Sequence, residues 1–194
     1  MGEDALSCAL GERLVAQVLP NWSLSKAPIN TNGITKLVRS LPRYLQQAEH
    51  VQPVLCIADT DQKCAVDLVR GWLPHAHAPR FLFRLAVSEA ESWVLSDGEA
   101  FAGFLRIPVA NLPRLPDDLP DAKREVLRLA GRSRVRLIRQ EVVSSLDANR
   151  PGTGYNAHLC GFVRQHWRAA HAAGRSVSLS RAVRRLAEFG AAHE

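Results

Sequence analysis

The chain has 194 residues, of which 46% are hydrophobic and 23% are charged, and this composition is typical of a globular domain. No apolar run approaches the roughly 18 residues of a membrane span, and the N-terminal residues lack the basic and apolar regions of a signal peptide. The four scattered cysteines have no paired spacing, which argues against structural zinc and favours a reduced, cytoplasmic setting.

The charged residues are divided unevenly along the chain. Residues 1–120 contain 11 Lys and Arg against 13 Asp and Glu, whereas residues 121–190 contain 14 against 5. A basic second half beside a slightly acidic first half favours a polyanionic partner such as nucleic acid. The alternative is a solubilising surface on arginine-rich helices, which needs no partner.

The first part of the chain alternates between helical and extended patterns of apolar residues. The predicted elements are helices over residues 4–18 and 34–49, a strand over 52–58, a helix over 61–73, a strand over 80–87 and one or two helices over 88–105. Pro42 is expected to bend or split the second helix, because proline cannot donate a backbone hydrogen bond. The alternation predicts an α/β fold with a mostly parallel sheet flanked by helices.

The second part of the chain is predicted to be helical. The predicted segments are a Pro-rich loop over 111–120, a helix over 121–143, a break over 147–155 and two helices near 156–170 and 179–189. We therefore divide the chain into an α/β domain over residues 1–110 and a basic helical extension over 111–194 that packs on it. An open parallel sheet usually starts with a strand, so either the fold lacks this strand or the strand lies upstream of Met1, and we expect the second.

Two aspartates follow the apolar strand that begins at Val54. Asp59 and Asp61 would lie at the carboxyl edge of the sheet, where open α/β sheets bind ligands, and Glu3 would reach this edge from the turn before the first helix. Neighbouring carboxylates repel one another unless a cation neutralises them, and Mg²⁺ prefers such oxygen ligands. The alternative is that Asp61 caps the following helix and Asp59 is a solvated turn residue.

Three stretches of the chain resemble the TOPRIM-type domain. They are GEDAL at the first helix, VLCIADTDQ around the first strand and FLFRLAVSEAESWVLSD around the second strand. The pattern is similar to a group of uncharacterised bacterial TOPRIM-like proteins related to the overcoming-lysogenisation-defect nucleases. The resemblance covers about residues 1–105 and implies a TOPRIM or Rossmann-like sheet.

This resemblance also implies a function, a divalent-metal-dependent phosphodiesterase that is a nuclease of the mobile-element or phage-defence type. In such a site, Glu3, Asp59 and Asp61 would bind Mg²⁺ or Mn²⁺, and Glu89 and Glu91 would be catalytic or support the ion. The alternative is a non-catalytic TOPRIM-like scaffold that binds nucleic acid, a partner protein or a second copy of the chain.

Glu89 and Glu91 also have a structural interpretation. Ser88 and Glu91 match the S-x-x-E capping box, and Glu89 would then stand at the first helical position, where an acid is favourable. If this segment is helical, side chains two residues apart point about 200° apart, so only one of them would face the site. Trp93, further along the same helix, is expected to pack in the core.

Basic residues are candidates for contacts with a nucleic-acid backbone. Arg124, Arg128 and Arg132 recur every four residues on the predicted helix over 121–143, and Arg136 continues this stripe. Lys63, close behind the two aspartates, could touch a phosphate; the alternative is an exposed residue in the first turn of a helix.

Two further patterns are weaker. His75 and His77 form an H-x-H pair, but no third zinc ligand stands at a suitable spacing. Tyr155 could stack on a nucleic-acid base, whereas helical spacing favours core positions for Phe162 and Trp167.

Overall fold

The structure of the chain, a computed structural model, describes residues 1–73 and 78–193. The candidate zinc pair, His75 and His77, lies outside the described residues. The strands are β1 (Val54–Asp59) and β2 (Phe81–Ala86). The helices are α1 (Ala5–Val18), α2 (Ile34–His50), α3 (Ala65–Trp72), α4 (Ala90–Ser96), α5 (Gly98–Leu105), α6 (Ala122–Ala130), α7 (Arg136–Val142), α8 (Tyr155–Gln165), α9 (Ala169–Ala173) and α10 (Val177–Ala191).

The two strands form a small parallel sheet at the centre of the first part of the chain. They pair in a regular register, from Val54 opposite Phe81 to Asp59 opposite Ala86. Gly2 extends this pairing, because it forms isolated parallel bridges with Ile57 of β1 and with Asn30. The chain is therefore a mixed α/β protein with a parallel sheet flanked by helices, as the sequence predicts.

Helices cover both faces of this sheet. On one face, α2 packs its buried leucines against Cys56, Ala58 and Phe83. On the other face, α1 contacts β1 and α10 contacts β2. Because both faces are covered, Cys56, Ile57 and Ala58 in the middle of β1 are completely buried. This burial explains why the sequence of β1 up to Ala58 is a continuous run of apolar residues.

The largest hydrophobic cluster runs from Leu6 to Phe189 and includes residues on both sides of position 110. Trp93 and Trp167 are fully buried within it, as predicted. The indole N–H of Trp93 donates to Ser178 Oγ at 2.8 Å, and that of Trp167 donates to the carbonyl oxygen of Trp93 at 2.9 Å. Helices of the second part are thus packed against the first part through a shared core.

Several predicted helices differ from the observed ones, and two of the differences concern continuity. The helix over 34–49 is continuous through the exposed Pro42. The helix predicted over 121–143 is interrupted, because Ser133 and Arg134 leave the helical path to bond with α5. Ser133 Oγ and the Arg134 N–H both donate to the carbonyl oxygen of Leu105, at 2.7 and 3.0 Å.

Within residues 1–73 and 78–193, none of the helices combines the length and the apolar character needed to cross a membrane.

Candidate functional site

The turn before α1 follows the edge of β1 and carries Glu3 to the end of that strand. Ile57 N–H donates to the carbonyl oxygen of Met1, and Glu3 N–H donates to the carbonyl oxygen of Ile57, both at 3.1 Å. A Cβ atom on Gly2 would lie 2.7 Å from the backbone nitrogen of Cys8. Only glycine therefore allows this turn to pass so close to α1.

Asp59 is the last residue of β1, and it contacts both α4 and the Glu3 side chain. Its Oδ1 accepts a hydrogen bond from Ala90 N–H at 2.9 Å, and its own N–H donates to Glu3 Oε2 at 3.3 Å. Burial, together with the charges of Glu91, Glu3 and Asp4, raises the pKa of Asp59 to about 9. The structure thus brings the Glu3 side chain and Asp59 together at the end of β1.

Asp61 lies in the exposed turn between β1 and α3 and does not cap α3. Asp61 and Gln62 have left-handed backbone angles, with φ of 47° and 66°, and Asp61 N–H donates to the carbonyl oxygen of Ser88 at 3.0 Å. The helix α3 begins only at Ala65, and its N-cap residue is Cys64. The helix-cap interpretation of Asp61 is wrong, because this turn bonds to the segment after β2 instead.

The charge of Asp61 acts on two other candidate acids. Burial raises the pKa of Glu3 and the pKa of Glu89, and the negative charge of Asp61 raises both further. Asp61 therefore stands within electrostatic reach of both groups, at the exposed side of the site.

Glu89 is half-buried and lies at the N-terminal cap of α4 in an extended conformation, with φ of −141° and ψ of 160°. Its Oε2 accepts a hydrogen bond from Lys123 N–H at 2.8 Å, at the start of α6. The predicted capping box does not form, because Ser88 precedes the cap and its hydroxyl donates to the carbonyl oxygen of Leu119 at 3.2 Å.

Glu91 is the buried acid of the site, with only 4% of its surface exposed. Its Oε1 accepts a hydrogen bond from the Tyr155 hydroxyl at 2.7 Å, and Lys123 Nζ lies 5.4 Å from the centre of the Tyr155 ring. Burial raises the pKa of Glu91, and the Tyr155 hydroxyl and the Lys123 charge oppose that change. The base-stacking prediction for Tyr155 is wrong, since its ring is buried and its hydroxyl is bonded to Glu91.

Glu89 and Glu91 diverge, as expected for residues two apart at the start of a helix. Glu89 faces α6 and Glu91 faces α8. Of the two, Glu91 is the one whose charge raises the pKa of Asp59.

The basic candidates are spread over several elements rather than along one helix. Lys63 is exposed in the turn after Asp61. Arg124 is exposed on α6, whereas Arg128 on the same helix is paired with Glu125, with its Nε at 2.7 Å from Oε2. Arg132 lies in the connection after α6, and Arg136 is the first residue of α7; both are exposed.

Sequence reasoning missed three contributors to the site: Asp4, Lys123 and the hydroxyl of Tyr155. Asp4 caps α1 through a 2.7 Å hydrogen bond from Ser7 N–H, and its charge reaches Asp59. Its place directly before a helical pattern is a signal that could have identified the cap. Lys123 and Tyr155 are separated from the acids by more than 30 residues, and no local pattern predicts their contacts.

The carboxylates of this site fit a hard divalent cation that is held by one or two of them and by waters, which is how proteins usually bind Mg²⁺. They do not fit a site closed by three protein ligands. Within the described part of the chain, no three His, Cys, Asp or Glu side chains are grouped so that they could hold a metal ion.

Comparison of the chain with protein-family models, with curated proteins and with solved structures finds no match in any of the three.

Proposed function

We propose that the chain is a divalent-metal-dependent phosphodiesterase that cleaves nucleic acid, a nuclease of the mobile-element or phage-defence type. The observation that carries this proposal is the position of Glu3, Asp59 and Glu91 at one edge of the parallel sheet. These acids come from three separate segments, and burial raises the pKa of each of them. A cluster of buried and partly buried carboxylates with raised pKa values favours either shared protons or a bound cation.

The acidic side chains of the site would have different roles in metal binding and proton transfer. Mg²⁺ or Mn²⁺, when bound, would polarise a phosphoryl oxygen and lower the pKa of an attacking water. Glu3, whose carboxylate accepts a hydrogen bond from Asp59 N–H, and Asp59 would hold the ion together with waters, and the negative charge of Asp61 in the exposed turn would add to its attraction. Glu91 would support the ion or a proton transfer from the buried side, and Glu89 would do so from the boundary with α6.

Exposed basic residues support nucleic acid as the substrate. All five candidates are exposed: Lys63, Arg124, Arg132, Arg136 and Arg128, which is paired with Glu125. Residues 121–190 as a whole carry nine more basic than acidic residues, 14 against 5. Such contacts bind phosphates without reading sequence, and their contribution weakens as salt increases.

A non-catalytic scaffold that binds nucleic acid or a partner is the second candidate function, and one observation favours it. Asp59, Glu89 and Glu91 each already accept a hydrogen bond from the protein itself. In this alternative the acids are structural, and only the basic surface takes part in binding.

Substitution of Asp59 by alanine tests the two functions. We expect the wild-type chain to bind Mn²⁺ in calorimetry and to cleave DNA or RNA only when Mg²⁺ or Mn²⁺ is present. Asp59→Ala should lower the cleavage rate at least about 100-fold, because it removes a ligand and not merely a neighbour of one. Asp67→Ala is the matched control, since Asp67 is an exposed acid in the first turn of α3.

Equal cleavage by clean preparations of the wild-type chain and of Asp59→Ala would overturn the assignment of the active site to these acids. No divalent binding by the wild-type chain, together with salt-sensitive binding of nucleic acid, would replace the nuclease proposal with the scaffold.

A further inference from the structure

The segment that connects α7 to α8 fixes the position of Tyr155. Gly152 N–H donates to the carbonyl oxygen of Val142, and Gly154 N–H donates to that of Glu141, both at 2.9 Å. A Cβ atom on Gly152 would collide with the carbonyl oxygen of Glu141. The glycine-rich stretch RPGTGY thus lets the chain run tightly along α7 before Tyr155 begins α8.

This placement carries the phenol into the acidic site. Tyr155 is 4% exposed, and its hydroxyl donates to Glu91 Oε1 at 2.7 Å in a region where Glu91 is itself only 4% exposed. A short hydrogen bond from a hydroxyl to a carboxylate is among the stronger polar contacts in proteins. A side chain that served only to fill the core would need the ring but not the hydroxyl.

The bond joins two distant parts of the chain. Glu91 lies in the first turn of α4, next to Ala90, whose N–H holds the Asp59 carboxylate. Tyr155 comes 64 residues later and belongs to the main hydrophobic cluster. The Glu91 carboxylate is thus anchored to the first residue of α8.

We propose that Tyr155 is a positioning residue of the acidic site, and that its hydroxyl orients the Glu91 carboxylate for metal binding and phosphodiester cleavage. This inference rests on the function proposed above. It gives the helical second part of the chain a role inside the site, in addition to contacts with nucleic acid. Tyr155 itself need not touch the substrate.

Tyr155→Phe removes the hydroxyl and keeps the ring. We expect Mn²⁺ to bind about 10- to 100-fold more weakly in calorimetry, as is usual when a partner of a metal-site side chain is lost. The cleavage rate kcat should fall while KM for the nucleic acid stays within about twofold, since the basic surface is unchanged. Tyr44→Phe is the matched control, because Tyr44 is the other tyrosine of the chain, is also buried, and lies in a separate cluster with Ala48 and Val54.

A double-mutant cycle separates positioning from packing. If Tyr155 acts through Glu91, adding Tyr155→Phe to Glu91→Gln should change Mn²⁺ affinity by less than about twofold. If the wild-type chain binds Mn²⁺ and cleaves nucleic acid, and Tyr155→Phe binds Mn²⁺ with the same affinity, the inference is overturned and the proposed function is left intact. A wild-type chain that neither binds Mn²⁺ nor cleaves nucleic acid would overturn both.

Discussion

Asp59 links the charge of the candidate site to the stability of the fold. It accepts a hydrogen bond from Ala90 N–H, which favours the ionised form, but burial and the charges of Glu91 and Glu3 disfavour that form more strongly. The balance raises the pKa of Asp59 to about 9, from an ordinary value of 3.8. Ionisation of this residue in the metal-free protein therefore costs folding free energy.

The sign of the resulting pH dependence can be stated. Between about pH 4 and pH 9 the folded metal-free chain keeps a proton on Asp59 that the unfolded chain has released. The contribution of Asp59 to the free energy of unfolding therefore falls as pH rises through this window. A divalent cation that binds the ionised form would oppose this loss.

Asp59→Asn should therefore stabilise the metal-free chain at alkaline pH. Asparagine keeps the acceptor for Ala90 N–H but carries no charge. With a chelator present, we expect Tm at about pH 8 to rise by about 2–4 °C or more, and by less at about pH 5, as measured by circular dichroism. Asp67→Asn is the control for loss of an exposed acid. A variant that is less stable than wild type at both pH values would contradict the raised pKa.

At the scale of secondary-structure elements, Asp97 joins the end of α4, the start of α5 and the segment before α9. Its side chain is 1% exposed and accepts hydrogen bonds from Arg168 N–H at 2.9 Å, Arg168 Nε at 3.0 Å and Arg168 Nη2 at 2.7 Å. It also accepts a bond from Ala100 N–H at 3.4 Å, which caps α5. The hydrogen bond from Arg168 N–H to Asp97 holds the backbone outside the helical path. It explains why the helix predicted over 156–170 ends at Gln165.

Removal of this junction should destabilise the chain. We expect Asp97→Ala to lower the free energy of unfolding by about 2–4 kcal/mol, because four donors lose their acceptor and Arg168 loses its buried partner. In a chain of this size, that corresponds to a Tm lower by about 5–15 °C in a thermal melt. Glu99→Ala is the matched control, since Glu99 is 73% exposed and lies 3.3 Å from the same Arg168. It should change stability by less than about 0.5 kcal/mol.

At the scale of the whole molecule, the two parts of the chain share one core. The main hydrophobic cluster combines Leu10 of α1 and Trp93 of α4 with Leu159, Trp167 and Leu186 of the second part. The helices α8, α9 and α10 all contact α1, and α10 also contacts β2. Such packing predicts that the two parts unfold as one cooperative unit.

A truncated chain tests this prediction and, with it, the division at residue 110. We expect residues 1–110 alone to show no cooperative thermal transition and poorly dispersed amide resonances, because the apolar surface of α1 and α4 would be uncovered. The full chain, measured under the same conditions, is the control. A sharp melting transition in the fragment would instead support an independent α/β domain over residues 1–110.

Local patterns predicted the parts of this fold and site that depend on neighbours in sequence. The apolar run at Val54 predicted a buried strand, and the spacing of leucines predicted α1, because burial on one face imposes the period of the element. The position of Asp59 after an apolar strand and of Glu3 before the first helix predicted that both lie at one edge of the sheet. This followed because parallel strands end on the same side.

Contacts between distant segments decided the rest. The left-handed turn at Asp61, the break after α6 and the Tyr155–Glu91 bond each depend on partners in other segments, between about 27 and 64 residues away in sequence. Such partners compete with local propensity for the same backbone and side-chain groups, and only the packed core determines which of them wins. Local patterns thus identify the carboxylates that the site can use, whereas only the packing of distant segments specifies which groups donate hydrogen bonds to each of them.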